Sequence, residues 1–567
     1  MILEATLTAD YEPGSNQSGD LACADWRFLL PDMDLKKVVC LGVPRLSALK
    51  VLSTISEQIY VVTRGQKMNR PEEIQALGNV IVQKFDELLF KDHSVSLILL
   101  ATPAEVERVV RERAYLEEMF RILAPGGSIY FENKGLRKIF QVEKKFQKWV
   151  ENGLNGSQQT FWLTTQSGEM RTALPVSERD ISSFFFSNVL FGQSLKKRML
   201  SRAGKMLSKL GLIAYANARR AMLIQNAPPE GSPQQPPQFL RELARESGLD
   251  ISRYRYGLSA RGKYNSNKII FYLFEQEAHQ AEVIIKMTRT PHFNCRLEHE
   301  WEMLSTVKKQ GYAPPGTFPD PLMFGYHKDL AVLGQKAMQG HPFRTRTTAR
   351  PDCPVAADAI AWLTALGKNS AHHQLATPQE VSRNLLKLFE IFNGIYRLSP
   401  AQRDFMQQQI ERIANSKQPF PVVFGHGDAG SWNVIVSESG KALFLDWEAA
   451  DPRSMPLWDL FYFLRSFGNW ISRKQQKSLD TLKNFNDNFL QENDTSRFIR
   501  QATHQYCRTV GLDPELIAPM FYTCWMHRAL RQATWADSLQ EAHFVSVIKM
   551  AIEQPDAPGL KGLFMMS

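Results

Sequence analysis

The stretch from Val422 to Leu460 reads VVFGHGDAGSWNVIV and then KALFLDWEAADPRSMPLWDL. It holds His426-Gly427-Asp428, then Asn433, then Asp446-Trp447-Glu448. Asp428 and Asn433 are five apart on a short polar loop between two apolar runs, and Asp446 closes a third such run. Apolar segments on both sides would hold these oxygen-bearing side chains at one edge of a core. Two carboxylates and an amide so placed suit phosphoryl transfer. One carboxylate orients or deprotonates the attacking hydroxyl, while an amide oxygen and a second carboxylate hold Mg2+ on the phosphates, because hard cations prefer oxygen ligands. The competing reading is a set of ordinary turn residues, since Asp and Asn are common in turns.

The pattern H-G-D-x-x-x-x-N followed by an apolar pair and D-W-E resembles the aminoglycoside phosphotransferase and choline kinase group, a branch of the protein-kinase-like fold. The resemblance implies ATP and Mg2+ as cofactors, with Asp428 as catalytic base and His426 as the residue that shapes the catalytic loop. It implies Asn433 and Asp446 as magnesium ligands and a structural role for Asp459. Upstream, Lys286 ends the run Val283–Lys286 and resembles the strand lysine that grips the α- and β-phosphates. Glu300, in RLEHEWEML, is expected to pair with Lys286, because Trp301, Met303, Leu304 and Val307 bury one helix face; Glu298 is the competitor. In QKAMQG (Gln335–Gly340), which resembles the hinge between lobes, backbone groups at Gln335, Ala337 and Met338 would bind adenine. GLSARGKY (Gly257–Tyr264) nearly fits a phosphate-binding P-loop, but Tyr264 stands where Ser or Thr is needed, and strands flank it. In the kinase-like reading Gly262, Asn265 and Asn267 instead lie on the turn over the phosphates.

Only 13 positions separate Asp446 from Asp459. A protein kinase places a long activation segment there, so a platform for a peptide is missing. The expected acceptor is therefore a hydroxyl on a small molecule or glycan. The tail from Leu464 carries Arg465, Arg473, Lys474, Lys477, Arg497, Arg500, Arg508, Arg528 and Arg531. That balance disfavours a polycationic drug and favours a neutral or anionic acceptor, such as a sugar or a phosphorylated metabolite. Two alternatives stay open: a catalytically silent pseudokinase scaffold, and a bifunctional methyltransferase-kinase in surface-polysaccharide or metabolite biosynthesis.

The elements that must position these residues follow from the wider pattern. The chain has 567 residues, 44% hydrophobic and 22% charged, with a formal net charge of +10. That is a globular composition with length for two or three domains, and it excludes collagen-like, disordered and disulfide-stapled proteins. The longest apolar run, Val95–Ala104, is too short and too polar to span a membrane. Met1–Asp20 lacks the layout of a secretory signal, and the six cysteines form no C-x-x-C pair; the expected location is cytoplasmic. Five prolines in Asn226–Gln238 mark a linker. Expected limits are an N-terminal extension (1–34), an α/β domain (35–226), the linker (227–238), a mostly β kinase-like N-lobe (239–340) and a helical C-lobe (341–567).

Before the linker, strands (Lys37–Gly42, Gln58–Val62, Val95–Ala101, Ser128–Phe131) alternate with helices (Pro44–Ser56, Ala104–Leu123), which argues for a mainly parallel sheet. LEEMFRILAPGGSIYFE (Leu116–Glu132), a helix, Pro-Gly-Gly and a strand, resembles the class I methyltransferase fold, a Rossmann-like α/β sheet, and so raises S-adenosylmethionine as a cofactor. However, Cys40 stands where an acid is usual, Gly42 alone survives of the glycines, and Val62-Thr63-Arg64 lacks the carboxylate for the ribose. The expectation is a degenerate scaffold or partner-binding module. From Ile181 to Pro229 there is no acidic residue and there are eight basic ones. Within it, Leu195–Leu210 is amphipathic: Leu195, Met199, Ala203, Met206, Leu207 and Leu210 share one face, with Arg198, Arg202, Lys205 and Lys209 opposite. The favoured reading is the closing helix of the first domain with solvated charges; peripheral contact of 195–220 with an anionic membrane surface is the alternative. No nucleic-acid reader motif is present, and the pattern does not define an oligomeric state.

Overall fold

A computed structural model describes residues 22–64, 71–84, 90–134, 157–166, 169–190, 195–212, 219–226, 235–260, 268–371, 375–476, 478–533 and 543–565, with single positions at 141, 144–145 and 148. The chain divides into two compact units. A sheet unit comprises Ser15–Glu298 with Leu322–Ala337, and a helical unit comprises His299–Pro321 with Met338–Ser567.

Among the described residues the sheet unit is organised by thirteen strands: β1 (Leu35–Leu41), β2 (Ser56–Thr63), β3 (Val80–Lys84), β4 (Val95–Leu100), β5 (Leu123–Lys134), β6 (Ser157–Gln166), β7 (Glu169–Pro175), β8 (Arg219–Gln225), β9 (Arg255–Ser259), β10 (Lys268–Phe274), β11 (Val283–Thr288), β12 (Pro321–His327) and β13 (Leu330–Lys336). They form one sheet in the order β12-β13-β11-β10-β9-β7-β6-β8-β5-β4-β1-β2-β3. The β3-β2-β1-β4-β5 edge is parallel. The pairings of β5 with β8, β8 with β6, β6 with β7, β7 with β9 and onward to β13 are antiparallel.

Strands buried on both faces read as continuous apolar runs, and β1 and β4 do so for that reason. Val38, Cys40, Leu97 and Leu99 enter one core, while Val39, Leu41, Ile98 and Leu100 enter the other. Crossover helices α1 (Leu46–Thr54), α2 (Pro103–Arg111) and α3 (Arg113–Ile122) belong to this parallel part. The single helix expected over Ala104–Leu123 is two, broken at Glu112, whose extended backbone begins the second. Pro125-Gly126-Gly127 does not stop the chain before a new strand; it lies inside β5, with Gly126 at φ 76°.

The Pro-rich stretch Asn226–Gln238 does not separate two sheets. Thr172 of β7 pairs with Ser259 of β9 and Ala173 with Leu258, so strands from both sides of it share one ladder. A buried ion pair also ties distant parts of this unit. Asp25 accepts from Arg289 Nε at 2.9 Å and Nη2 at 2.8 Å, and Arg289 donates on to the Ala260 carbonyl. Arg27 Nη1 lies a further 3.8 Å from Asp25, and removing one partner of such a buried pair costs about 3–5 kcal/mol, because the remaining charge loses its nearest counter-charge. Two further helices matter below: α4 (Leu195–Lys209) and α5 (Asn294–Gln310).

In the helical unit, α6 (Pro354–Ala371), α7 (Trp458–Gln475), α8 (Ile517–Ala533) and α9 (His543–Glu553) are prominent. Among the described residues seven short strands accompany them: β14 (His341–Pro342), β15 (Leu375–Ala376), β16 (Phe420–Pro421), β17 (Val423–Gly425), β18 (Val434–Val436), β19 (Ala442–Phe444) and β20 (Asp451–Ser454). They pair as β14-β18-β19, β15-β16 and β17-β20. Fully buried Trp447 sits under them, and Trp362 of α6 stacks on Phe444 with ring centroids 4.0 Å apart. Among the described residues no helix is long and apolar enough to cross a membrane.

Candidate active site

Strand β17 delivers the chain to His426, and the β18–β19 hairpin returns it to Asp446. Three sets of contacts fix the loop between them. The Asp459 carboxylate, in the first turn of α7, accepts from the His426 amide at 2.5 Å and from the Gly427 amide at 3.0 Å. Gly427 sits at φ 74°, where a Cβ would lie 1.8 Å from the Ala449 carbonyl oxygen. The His426 ring is fully buried; Nε2 meets the Leu445 carbonyl at 2.9 Å and Nδ1 accepts from the Asp428 amide at 3.3 Å. Those two roles require the neutral ring, and burial lowers its pKa accordingly. His426 therefore joins the two loops that carry Asp428 and Asp446. Burial pushes the Asp459 carboxyl above its ordinary range, against the pull of His426 and the two amides.

Asp428 is then aimed by donors. Asn433 Nδ2 donates to Asp428 Oδ2 at 2.8 Å and to the Asp428 carbonyl at 3.0 Å. Arg528 Nη2 donates to Asp428 Oδ1 at 3.0 Å, and Arg528 Nη1 to the Gly427 carbonyl at 2.6 Å. Trp432 Nε1 reaches Oδ2 at 3.4 Å. The Asp428 side chain stays 20% exposed, whereas Arg528 is buried, its guanidinium 3.5 Å from the Tyr462 ring centroid. A solvent-reachable carboxylate held by several donors, one of them a buried guanidinium, is a preorganised acceptor for a proton.

Asn433 and Asp446 are brought to the same end of the hairpin. Val434 pairs with Phe444, and the Leu445 amide donates to the Asn433 carbonyl at 2.8 Å. Asp446 follows at φ 63°, a left-handed conformation that Asp tolerates better than most residues. With Nδ2 of Asn433 committed to Asp428, its Oδ1 is the atom left to act as a metal ligand. One amide oxygen and one carboxylate fit Mg2+, which keeps most of its shell for phosphate oxygens and water. Among the described residues no cluster of three or more His, Cys, Asp or Glu side chains could hold a metal.

The remaining expected residues lie as follows. Lys286 is buried on β11, paired across the sheet with Ile270 and Leu333. Glu300 is fully buried on α5, whereas its competitor Glu298 accepts from the Tyr326 hydroxyl at 2.7 Å. Gln335 is buried in β13 opposite Ile284. The Ala337 amide donates to the Glu282 carbonyl at 2.8 Å, so that donor is already used within the sheet unit. Met338, half-buried, begins the next segment of the helical unit. Gly262, Asn265 and Asn267 lie outside the described residues. Thus His426, Asp428, Asn433 and Asp446 are brought together within the helical unit; Lys286, Gln335 and Ala337 belong to the sheet unit.

Arg528 was not among the expected site residues. It lies 100 positions after Asp428, where no spacing rule reaches. The available signal was a pair of arginines, Arg528 and Arg531, inside the otherwise apolar run IAPMFYTCWMHRALRQA. Arg531 Nη1 donates to the Ala449 carbonyl at 3.1 Å, the same oxygen that confronts Gly427.

Residues 269–482 match the model of the phosphotransferase enzyme family, APH. That match supports a kinase-like fold for the C-terminal half. Among solved structures, an aminoglycoside phosphotransferase from Streptomyces rimosus is 16% identical over 53% of this chain and 98% of its own, with a TM-score of 0.30. WbdD, crystallised with a kinase inhibitor, is 11% identical over 97% of this chain and 99% of its own, with a TM-score of 0.23. A SAM-dependent methyltransferase from Archaeoglobus fulgidus is 13% identical over 36% of this chain and 93% of its own, with a TM-score of 0.23. No curated protein sequence matches the chain.

Proposed function

We propose that the chain transfers the γ-phosphate of ATP to a hydroxyl of a small molecule or glycan, with Mg2+ as the metal. The observation that carries this reading is the Asp428 carboxylate, solvent-reachable and fixed by Asn433 and Arg528, on a loop whose Asn433 end is joined by backbone pairing to the strand that leads into Asp446. In the step, the acceptor hydroxyl gives its proton to Asp428. Its oxygen bonds to the γ-phosphorus, and the bond to the β-phosphate oxygen breaks, releasing ADP. Mg2+, when held by Asn433 and Asp446, supplies charge neutralisation on the phosphates. Lys286, with Glu300, is assigned to the nucleotide phosphates, and backbone groups of Gln335 and Met338, with the Ala337 carbonyl in place of its committed amide, to adenine. Gly262, Asn265 and Asn267 are assigned to the turn over the phosphates.

The charge around the candidate base supports a neutral or anionic acceptor. Arg465, Asn469 and Arg473 recur on one face of α7, and the guanidinium groups of Arg465 and Arg528 lie 4.7 and 5.9 Å from the same Phe544 ring. Burial, with Arg528 and Arg473 adding to it, pulls Arg465 down to about 10. Arg344 Nη2 reaches the Ser431 hydroxyl at 3.4 Å and shares the Trp470 ring with Lys474. Such donors suit phosphate or carboxylate oxygens and repel a polycation.

The test is transfer of label from γ-labelled ATP by the full chain, with Mg2+, to neutral sugars, sugar phosphates, uronic acids, amino alcohols and aminoglycosides. The expected outcome is labelling of a neutral or anionic sugar that a chelator abolishes. Failure to bind Mg-ATP in calorimetry would return the chain to the pseudokinase scaffold reading. Arg528 is a positioning residue in this scheme. Arg528→Met is expected to lower kcat about tenfold, the worth of a lost hydrogen bond to a charged group, with little change in the KM for ATP. Arg528→Lys should recover part of that loss; steady-state kinetics of the three proteins decide it.

For residues 35–226 we propose a scaffold or partner-binding role rather than methyl transfer. The β3-β2-β1-β4-β5 order suits a Rossmann-like sheet. Yet Cys40 is buried in the core, Thr102 closes on Gly42, and Arg64 beyond β2 lies 5.6 Å over Tyr115 with Glu105 at 4.0 Å. The same positions therefore offer a cation where a ribose carboxylate would be needed.

A further inference from the structure

Helix α4 packs by its small residues. Ser201, Gly204 and Ser208, spaced to share one face, are buried. The Ser201 hydroxyl donates to the Phe186 carbonyl, and a Cβ at Gly204 would come within 2.4 Å of the Phe186 ring. Phe186 thus sets the seam, because only a glycine lets the helix approach it so closely. The apolar face expected to close the domain is consequently turned outward. Met199, Leu200, Met206, Leu210 and the following Leu212 are between 44% and 65% exposed, and they account for five of the eleven large exposed hydrophobics among the described residues. At 3.6 residues per turn, Met199, Met206 and Leu210 lie diametrically opposite the Ser201–Gly204–Ser208 seam. Arg202, Lys205 and Lys209 are exposed along one flank of that ridge.

We propose that the outward face of α4 docks on an anionic lipid surface. An exposed apolar ridge of this concentration marks an interaction site. Its apolar centre with a cationic flank is the pattern of a helix lying in a membrane interface, where side chains enter the acyl boundary and cations meet lipid phosphates. The absence of acidic residues from Ile181 to Pro229 leaves nothing in this segment to repel such a surface. Nucleic acid would leave Met199, Met206 and Leu210 against phosphates, and a second copy of this face would bring like charges together. The proposal is independent of the phosphotransferase reading.

The experiment is co-sedimentation of the full chain with vesicles of phosphatidylcholine alone and of phosphatidylcholine with phosphatidylglycerol in equal parts. Anionic vesicles are expected to bind at least about tenfold more tightly, with the preference falling as salt rises. Met206→Ser with Leu210→Ser should weaken binding to anionic vesicles, and Lys205→Ser with Lys209→Ser should abolish the preference for them. All these positions are exposed, and matched melting curves will show that the variants fold. Equal binding by wild type and variants, or wild-type binding to neither vesicle, overturns the proposal. Self-association or nucleic-acid binding that the same variants remove, without vesicle binding, overturns it in favour of that partner.

Discussion

Asp428→Asn is expected to cut acceptor-dependent ATP turnover about a thousandfold while leaving Mg-ATP affinity within about twofold. The substitution keeps size and shape but removes the atom that can take the acceptor proton. It also disturbs the donors around it. Arg528, Asn433 and Trp432 all point N–H groups at the carboxylate. An amide has one oxygen to offer, so one of those donors must face an NH2 group. The nucleotide affinity separates this effect from collapse of the loop, because Asp446 and the Asn433 bond to the Asp428 carbonyl are not altered by the substitution. Turnover by ADP release and binding by calorimetry are the two measurements. Wild-type turnover in the variant would remove Asp428 from the role of base.

Gly427→Ala is the second large effect. A side chain here must adopt φ 74°, which costs an L-residue about 1–2 kcal/mol. The steric term is larger, since the new Cβ would overlap the Ala449 carbonyl oxygen at 1.8 Å. That oxygen cannot retreat without breaking its bond to Arg531, and Gly427 cannot retreat without breaking those to Asp459 and Arg528. Activity should fall by at least about a hundredfold with a lowered melting temperature, because relief of strain on this scale must shift the whole loop. Gly440→Ala is the control: it also has positive φ, at 84°, but nothing lies within 4 Å of its Cβ. Equal melting temperatures and turnover for the two variants would show that the loop is softer than its contacts indicate.

The closeness of His426, Asp428, Asn433 and Asp446 was legible because these residues are near one another in sequence and bounded by short apolar runs. The turn and the β18–β19 hairpin are local objects, so spacing alone locates Asp428, Asn433 and Asp446 relative to one another. Arg528 was not legible, because its position depends on how α8 packs against α7, a contact no periodicity encodes. The role of Asp459 as acceptor of two backbone amides was hidden for the same reason. Helix α4 shows a different limit. Its amphipathic period was visible, but period does not say which face turns inward; the Ser201–Gly204–Ser208 seam and the Phe186 ring decide that. The ladder between β7 and β9 was equally invisible, since two pairs of residues some 86 positions apart carry no signal in either strand.

That ladder bears on how the gene could be cut. A scalpel at the proline-rich stretch would not release two finished bodies; it would bare a β7 rim on one fragment and a β9 rim on the other. Each rim would offer its open amides and carbonyls to the first neighbour it met, which is how fragments clump. Fragments made by cutting there are therefore expected to clump where the uncut chain does not.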